Sequence, residues 1–261
     1  MQGVDLNVLY LPVTSFMHPK VRFYVSCKKD VEAFFCFLRD TRYDKGRAFR
    51  EAVLLKHPSL RQYVSLERHS ANKTAIEGYV RNFYARNRFS INSNLGVYKK
   101  NWFEIQDQFY ALADEIFPSR YWPKGKYIAY PTMWGLYPRY LEDKTFQVPF
   151  AHPRTKYVNV VIAHEMLHFI FYQYFFAKWP KYKENEYSFF VWNVSEIFNT
   201  VVQNSPRWFK VFELPSLGYP EHEKIVKILQ EKYCGTSNLD VIMLIQEIIA
   251  AVPRGQDVKY A

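Results

Sequence analysis

Apolar residues surround every turn of one long segment of the chain. From about 155 to 177, Val158, Val160, Val161, Ile162, Leu167, Phe169, Ile170, Phe171, Phe175 and Phe176 leave no polar face. A helix apolar on all sides is buried, so this stretch predicts a central core helix that begins near Pro153. The same density returns in "SFFVWNVSEIFNTVVQ", residues 188–203, which predicts a second buried helix. Between 101 and 117 the pattern is one-sided: Trp102, Ile105, Phe109, Leu112 and Ile116 form a stripe at helical spacing. Asn101 with Glu104 gives that helix a capping-box start, and Pro118 ends it. Two further helices are predicted over 219–233 and 237–252, the second capped by Ser237 or Asn238, after a loop marked by Pro206 and Pro215.

Alternation replaces helical spacing elsewhere. Residues 4–11 and 21–26 predict strands, and 127–150 predicts several short ones punctuated by prolines and a glycine. Pro149 makes 145–149 an expected edge strand, with backbone groups free to pair with another chain. A helix starts at Asp30 as its cap, and 45–90 holds two or three helices broken near His57-Pro58 and Ser70–Asn72. The Asn/Ser-rich stretch 88–96 is expected to be a connection, and the tail beyond Pro253 to be mobile. The sum is an α+β fold, mostly helical with a small mixed or antiparallel sheet. It divides into a basic region 1–99 of unassigned role and a region 100–261, or forms one continuous unit.

Hydrophobic residues at 49% and aromatics at 19% exclude disorder. Cys27, Cys36 and Cys234 make no disulfide framework and are expected to be reduced, buried thiols. The N-terminus has no signal-peptide pattern, and the longest apolar run is interrupted by charge, so a cytoplasmic chain without a membrane partner is expected. The net charge of +10 is uneven: residues 1–130 hold 21 Lys/Arg against 12 Asp/Glu, and the second half is nearly neutral. No short basic cluster stands out, so a solvated surface is favoured over a nucleic-acid face.

The central helix carries polar side chains that its surroundings do not explain. In "VVIAHEMLHFIF", His164, Glu165 and His168 sit among apolar neighbours. Two histidines four residues apart share a helix face, with side-chain bases about 6 Å apart, so both imidazoles can close on one metal ion. Imidazole nitrogen suits zinc. Glu165 stands beside that ion without pointing at it, the place for a base that takes a proton from a water the metal has acidified. A cation and mutual contacts would satisfy three groups otherwise costly to bury.

A catalytic zinc keeps three protein ligands. Glu184, Glu186, Glu196, His152 and His222 are the candidates for the third. Glu196 is preferred, because it lies mid-helix among apolar residues where a carboxylate needs a cation. Asn193 or Asn199, one turn away, could orient a ligand histidine.

"HEMLH" followed by "NVSEIFN" resembles the gluzincin branch of the zincin metallopeptidases, which carry HExxH on one helix and a glutamate on the next. The resemblance covers roughly residues 100–205. The 27 residues between His168 and Glu196 exceed the gap in thermolysin-like enzymes, and Asn199 and Thr200 replace that family's supporting acidic residue. The resemblance implies a zincin-like core, one zinc held by His164, His168 and Glu196, and peptide-bond hydrolysis with Glu165 as the catalytic base. It implies a peptide or protein substrate extended along an edge strand, with 145–149 the candidate, and an oxyanion partner such as Tyr219 or His222. The competing reading is a non-catalytic binding protein, for instance for nucleic acid, in which the HExxH helix is structural.

Overall fold

Helix-spaced apolar positions outnumber strand-spaced ones, and the architecture follows them. The computed structural model describes residues 18–39, 43–44, 47–65, 70–185, 188–233 and 239–253. The N-terminal half holds a short strand β1 (Val21–Phe23), helix α1 (Cys27–Arg39), a two-residue pair β2 (Tyr43–Asp44) and β3 (Arg47–Ala48), and helix α2 (Phe49–Lys56). A 3-10 segment at Pro58–Tyr63, a second small pair β4 (Val64–Ser65) and β5 (Ser70–Ala71), and the 44-residue helix α3 (Lys73–Ile116) follow. Three strands come next, β6 (Tyr127–Thr132), β7 (Arg139–Tyr140) and β8 (Thr145–Pro149). Five helices complete the chain: α4 (Tyr157–Lys178), α5 (Phe189–Gln203), α6 (Pro206–Phe212), α7 (Glu223–Tyr233) and α8 (Val241–Ala251). The fold is α+β, mostly helical, with one small mixed sheet. The strand expected at 4–11 lies outside the described residues, as do Cys234 and the tail from 254.

The sheet has the order β1-β6-β8-β7. β1, β6 and β8 are parallel and β7 is antiparallel to β8. This corrects the expectation for 145–149: β8 is paired on both sides and all five of its residues are buried, so it is an inner strand. Pro149 sits there without loss because it ends the strand and the next amide, Phe150 N, donates to Thr132 O at 3.1 Å. The edge strand next to the central helix's face is β7.

A second correction concerns 88–96, which is not a connection. α3 runs straight through it because Tyr84, Ile91, Tyr98, Trp102 and Phe109, at steps of seven and four, form one buried stripe. Asn and Ser are only mildly unfavourable mid-helix, and packing overrides them. The cap is Asn72, whose side chain accepts from Ala75 N, so Asn101 and Glu104 lie mid-helix and form no capping box. Residues 99 and 100 fall inside this helix. Its first part packs against α1 and α2 in a core with Trp134 and Trp192, and its second part joins the larger core of the sheet and α4–α8.

Smaller corrections follow the same logic of caps. α1 starts three residues before Asp30, with Ser26 Oγ accepting from Lys29 N at 3.3 Å. Asp30 itself is fully buried and ties α1 to the sheet. The expected loop after Pro206 is helix α6, because Pro at the first helical position donates no bond that the helix needs. α8 is capped by Asp240, not by Ser237 or Asn238, which lie outside the described residues. β1 spans only three of the six residues expected at 21–26. Cys27 is half-buried and Cys36 exposed, so neither is the core thiol expected.

α4 is long and apolar enough to cross a membrane, but it is the core's axis. It packs against α3, α5, α6 and β8, and sixteen of its residues are buried.

Candidate metal centre

α4 and α5 pack directly against each other, and the chemistry lies between them. His164 and His168 are one turn apart on the α4 face toward α5, with ring centroids 4.7 Å apart and planes at 80°. Glu196 projects from the middle of α5. Its Oε2 lies 3.0 Å from His164 Nε2 and its Oε1 3.4 Å from His168 Nε2. One donor atom from each of the three residues falls within 4.8 Å of the other two. The sequence singles out these three, and the fold brings them together. Glu184 is exposed, and Glu186 lies outside the described residues. His152 borders the cleft above the site and bonds Arg154 O at 2.9 Å. His222 is buried against Asn193, with Nε2 at 2.6 Å from Oδ1.

The tautomer of His164 is set from behind. Gln203 Nε2 donates to Val160 O at 3.1 Å, which turns its Oε1 toward His164 Nδ1 at 2.8 Å. That oxygen only accepts, so Nδ1 carries the proton. A neutral His164 ring then aims the Nε2 lone pair at a carboxylate oxygen, which is repulsive without a cation between or beside them. The ring responds by holding a proton more tightly: burial works against this, but the Glu196 bond and the charges of Glu196 and Glu165 outweigh it and raise the pKa. His168 is the opposite case. Burial and the nearby Arg139 charge push its pKa well below the usual value, leaving a neutral imidazole. Neither of its ring nitrogens has a hydrogen-bond partner. A neutral, fully buried imidazole with an open lone pair beside a carboxylate is a ligand arrangement.

Burial alone would raise the Glu196 pKa, but the Arg139 charge and the His164 bond pull it well below the usual carboxylate range. Glu196 is therefore an anion. Glu165 points to the same space without joining the triad; burial pushes it up to about 7, with His164 and Arg139 pulling back. Its Oε2 is buried without a hydrogen-bond partner.

Arg139 is the residue that sequence reading missed. It comes from the edge strand β7, and its Nη1 donates to Glu196 Oε1 at 3.0 Å and lies 3.9 Å from Glu165 Oε2. Its Nη2 lies 3.4 Å from both Tyr172 Oη and Ser195 Oγ. Gly135, at φ +70°, makes the turn before β7, and Lys56 Nζ donates to its carbonyl at 3.4 Å. Gln203 was also missed, although its seven-residue step from Glu196 places it on the same face of α5. Neither asparagine orients a ligand ring: Asn199 Nδ2 donates to the His164 carbonyl, and Asn193 holds His222.

The site opens into a cleft of about 970 Å³. Residues 135–139 with Leu141, and residues 216–220, line it, together with His164, Glu165 and Glu196. Much of the lining is apolar and aromatic: Leu136, Tyr137, Leu141, Val160, Val161, Trp192, Leu217 and Tyr219. No family model, curated protein or solved structure matches this chain.

Proposed function

We propose that this chain is a zinc-dependent peptidase with a zincin-like core, in which His164, His168 and Glu196 hold one zinc ion. The observation that carries the reading is the triad itself, with His168 and Glu196 buried and His164 half-buried at the cleft. Two imidazoles and a carboxylate converge from facing helices, with open nitrogens on His168 and a proton-fixed Nδ1 on His164. Two nitrogens and one oxygen are a donor set for catalytic zinc. When bound, zinc supplies a Lewis acid that polarises a carbonyl and acidifies a water.

The remaining steps belong to the chain's own residues. Glu165, which points into the same space as the triad, takes the proton of the attacking water and returns it to the leaving amide nitrogen. Arg139 keeps Glu196 Oε1 engaged and so fixes the rotamer of that carboxylate. Tyr219 borders the cleft and supplies a candidate donor for the oxyanion, whereas His222 is buried behind Asn193. An extended peptide would pair with β7, the one of the two edge strands, β1 and β7, that supplies a residue to the site. The apolar walls favour apolar or aromatic side chains next to the scissile bond.

The test joins metal content with hydrolysis. Wild-type protein is expected to hold one zinc per chain and to cleave a peptide library beside apolar residues. His164→Ala should lose both. The competing reading takes its support from Arg139: its bond to Glu196 compensates charge, as in a purely structural ion-pair network. That reading expects no stoichiometric metal and no cleavage, and such a result would end the peptidase proposal.

A second expectation follows from Gln203. Gln203→Leu removes the acceptor that fixes the His164 tautomer, so zinc affinity should fall about 10- to 100-fold. Chelator competition measures this without reference to activity. An unchanged affinity would show that Gln203 plays no part in holding the ring.

A further inference from the structure

We infer that the outer face of α3 is a docking surface for anionic membrane lipid, separate from the cleft. The inference does not depend on the peptidase reading. Between Glu77 and Glu104 the helix carries Arg81, Arg86, Arg88, Lys99 and Lys100 and no carboxylate. All five basic residues are exposed. Arg81 lies 3.9 Å from Glu77; the other four have no ion pair among the described residues. Four cations without an ion pair among the described residues, spread over about 21 Å from Arg86 to Lys100 at 1.5 Å per residue, call for an anionic partner.

The arrangement around the helix selects the partner. The inner face is the buried stripe through Tyr84, Ile91, Tyr98 and Trp102. Opposite it, the solvent-facing crest carries Asn82, Ala85, Phe89, Gly96 and Phe103. Phe89 is 86% exposed and Phe103 73% exposed, and Phe89 is the most exposed large apolar side chain among the described residues. At 100° per residue, Arg88 and Lys99 flank this crest on one side, and Arg86 and Lys100 on the other, each within about 80° of its centre. A ridge of aromatic side chains between two basic margins is the pattern of a helix lying in a membrane interface: the rings enter the acyl boundary and the cations stay at the headgroups. Duplex nucleic acid would meet the same charges, but it reads base edges with polar groups. Here the crest presents two exposed phenyl rings, with Asn82, Asn92 and Ser93 beside them. Single strands ask for rings spaced to stack successive bases. Phe89 and Phe103 are instead about 21 Å apart along the helix axis. The chemistry on the page therefore favours a phosphatidylserine-type surface.

Vesicle co-sedimentation of the full chain tests this. Vesicles of about one part phosphatidylserine to two parts phosphatidylcholine should pellet the protein, and pure phosphatidylcholine vesicles should not. Replacing Arg86, Arg88, Lys99 and Lys100 together with Gln should weaken binding at least about tenfold. Phe89→Ser with Phe103→Ser should leave low-salt binding in place and lose most of the binding that survives added salt. All six positions are exposed, so unchanged thermal melting serves as the folding control. Three outcomes would overturn the proposal: no pelleting with anionic vesicles, pelleting unaffected by either variant, or tighter binding to single- or double-stranded DNA than to vesicles with no effect of the Phe pair.

Discussion

Glu165→Gln is expected to lower peptide hydrolysis by about 10²- to 10⁴-fold while zinc binding stays at the wild-type level. Glutamine keeps the shape and the hydrogen-bonding oxygen but cannot carry a proton between water and leaving amine. The loss at the middle of that range corresponds to about 4 kcal/mol of barrier. The fold should tolerate the change. Glu165 Oε2 has no hydrogen-bond partner, and its nearest cation, Arg139 Nη1, is 3.9 Å away and already donates to Glu196. Burying a neutral amide there removes an ionisable group that burial disfavours. Thermal melting should therefore be unchanged or slightly higher. Glu184→Gln, at an exposed position outside the cleft, is the matched control and should hydrolyse at the wild-type rate. Hydrolysis by Glu165→Gln within a few-fold of wild type, with zinc bound, would remove Glu165 from the mechanism.

Sequence alone exposed the triad because its logic is local. His164 and His168 share a helix face by spacing, and Glu196 is conspicuous as a carboxylate amid apolar residues of α5. What remained hidden depends on distant pairing. Arg139 reaches the triad only because β7 lies at the edge of a sheet whose order, β1-β6-β8-β7, no periodicity encodes. For the same reason 145–149 reads as an edge: Pro149 is a local signal, while the second neighbour of β8 is a non-local fact. The misreading of 88–96 has another cause. Asn and Ser are weak loop markers, and the steps of seven linking Tyr84, Ile91 and Tyr98 reach past the Asn/Ser-rich stretch on both sides. Asp30 shows the limit of cap rules, since an acidic residue near a helix start can serve the core instead of the helix.

That role makes Asp30→Ala the largest stability loss expected among the polar residues outside the site, about 3–5 kcal/mol in urea unfolding. Tyr84 Oη and Met133 N donate to Asp30 Oδ2 at 2.9 and 3.1 Å, and Gln147 Nε2 donates to Oδ1 at 2.9 Å. These donors come from α3, the segment after β6, and β8, so one carboxylate joins α1 to three other parts of the fold. Alanine would leave Met133 N and Gln147 Nε2 buried without an acceptor, while Tyr84 Oη keeps its bond to Pro131 O at 2.8 Å. The pH dependence gives an independent check on the same group. Burial pushes the Asp30 carboxyl from 3.8 up to about 6, and its donors offset only part of that rise. The folded chain then holds this proton more tightly than the unfolded chain does. The stabilisation from the proton is fully present below about pH 4 and is lost as the pH rises through about 6, up to about 3 kcal/mol at 1.36 kcal/mol per unit. Asp30→Asn cannot titrate, so the wild-type stability minus that of Asp30→Asn should fall between pH 4 and pH 7. A flat difference across that window would mean that the donors, and not burial, set the ionisation of Asp30. The carboxylate would then be a net tie among the four segments at neutral pH instead of a charge that the core tolerates.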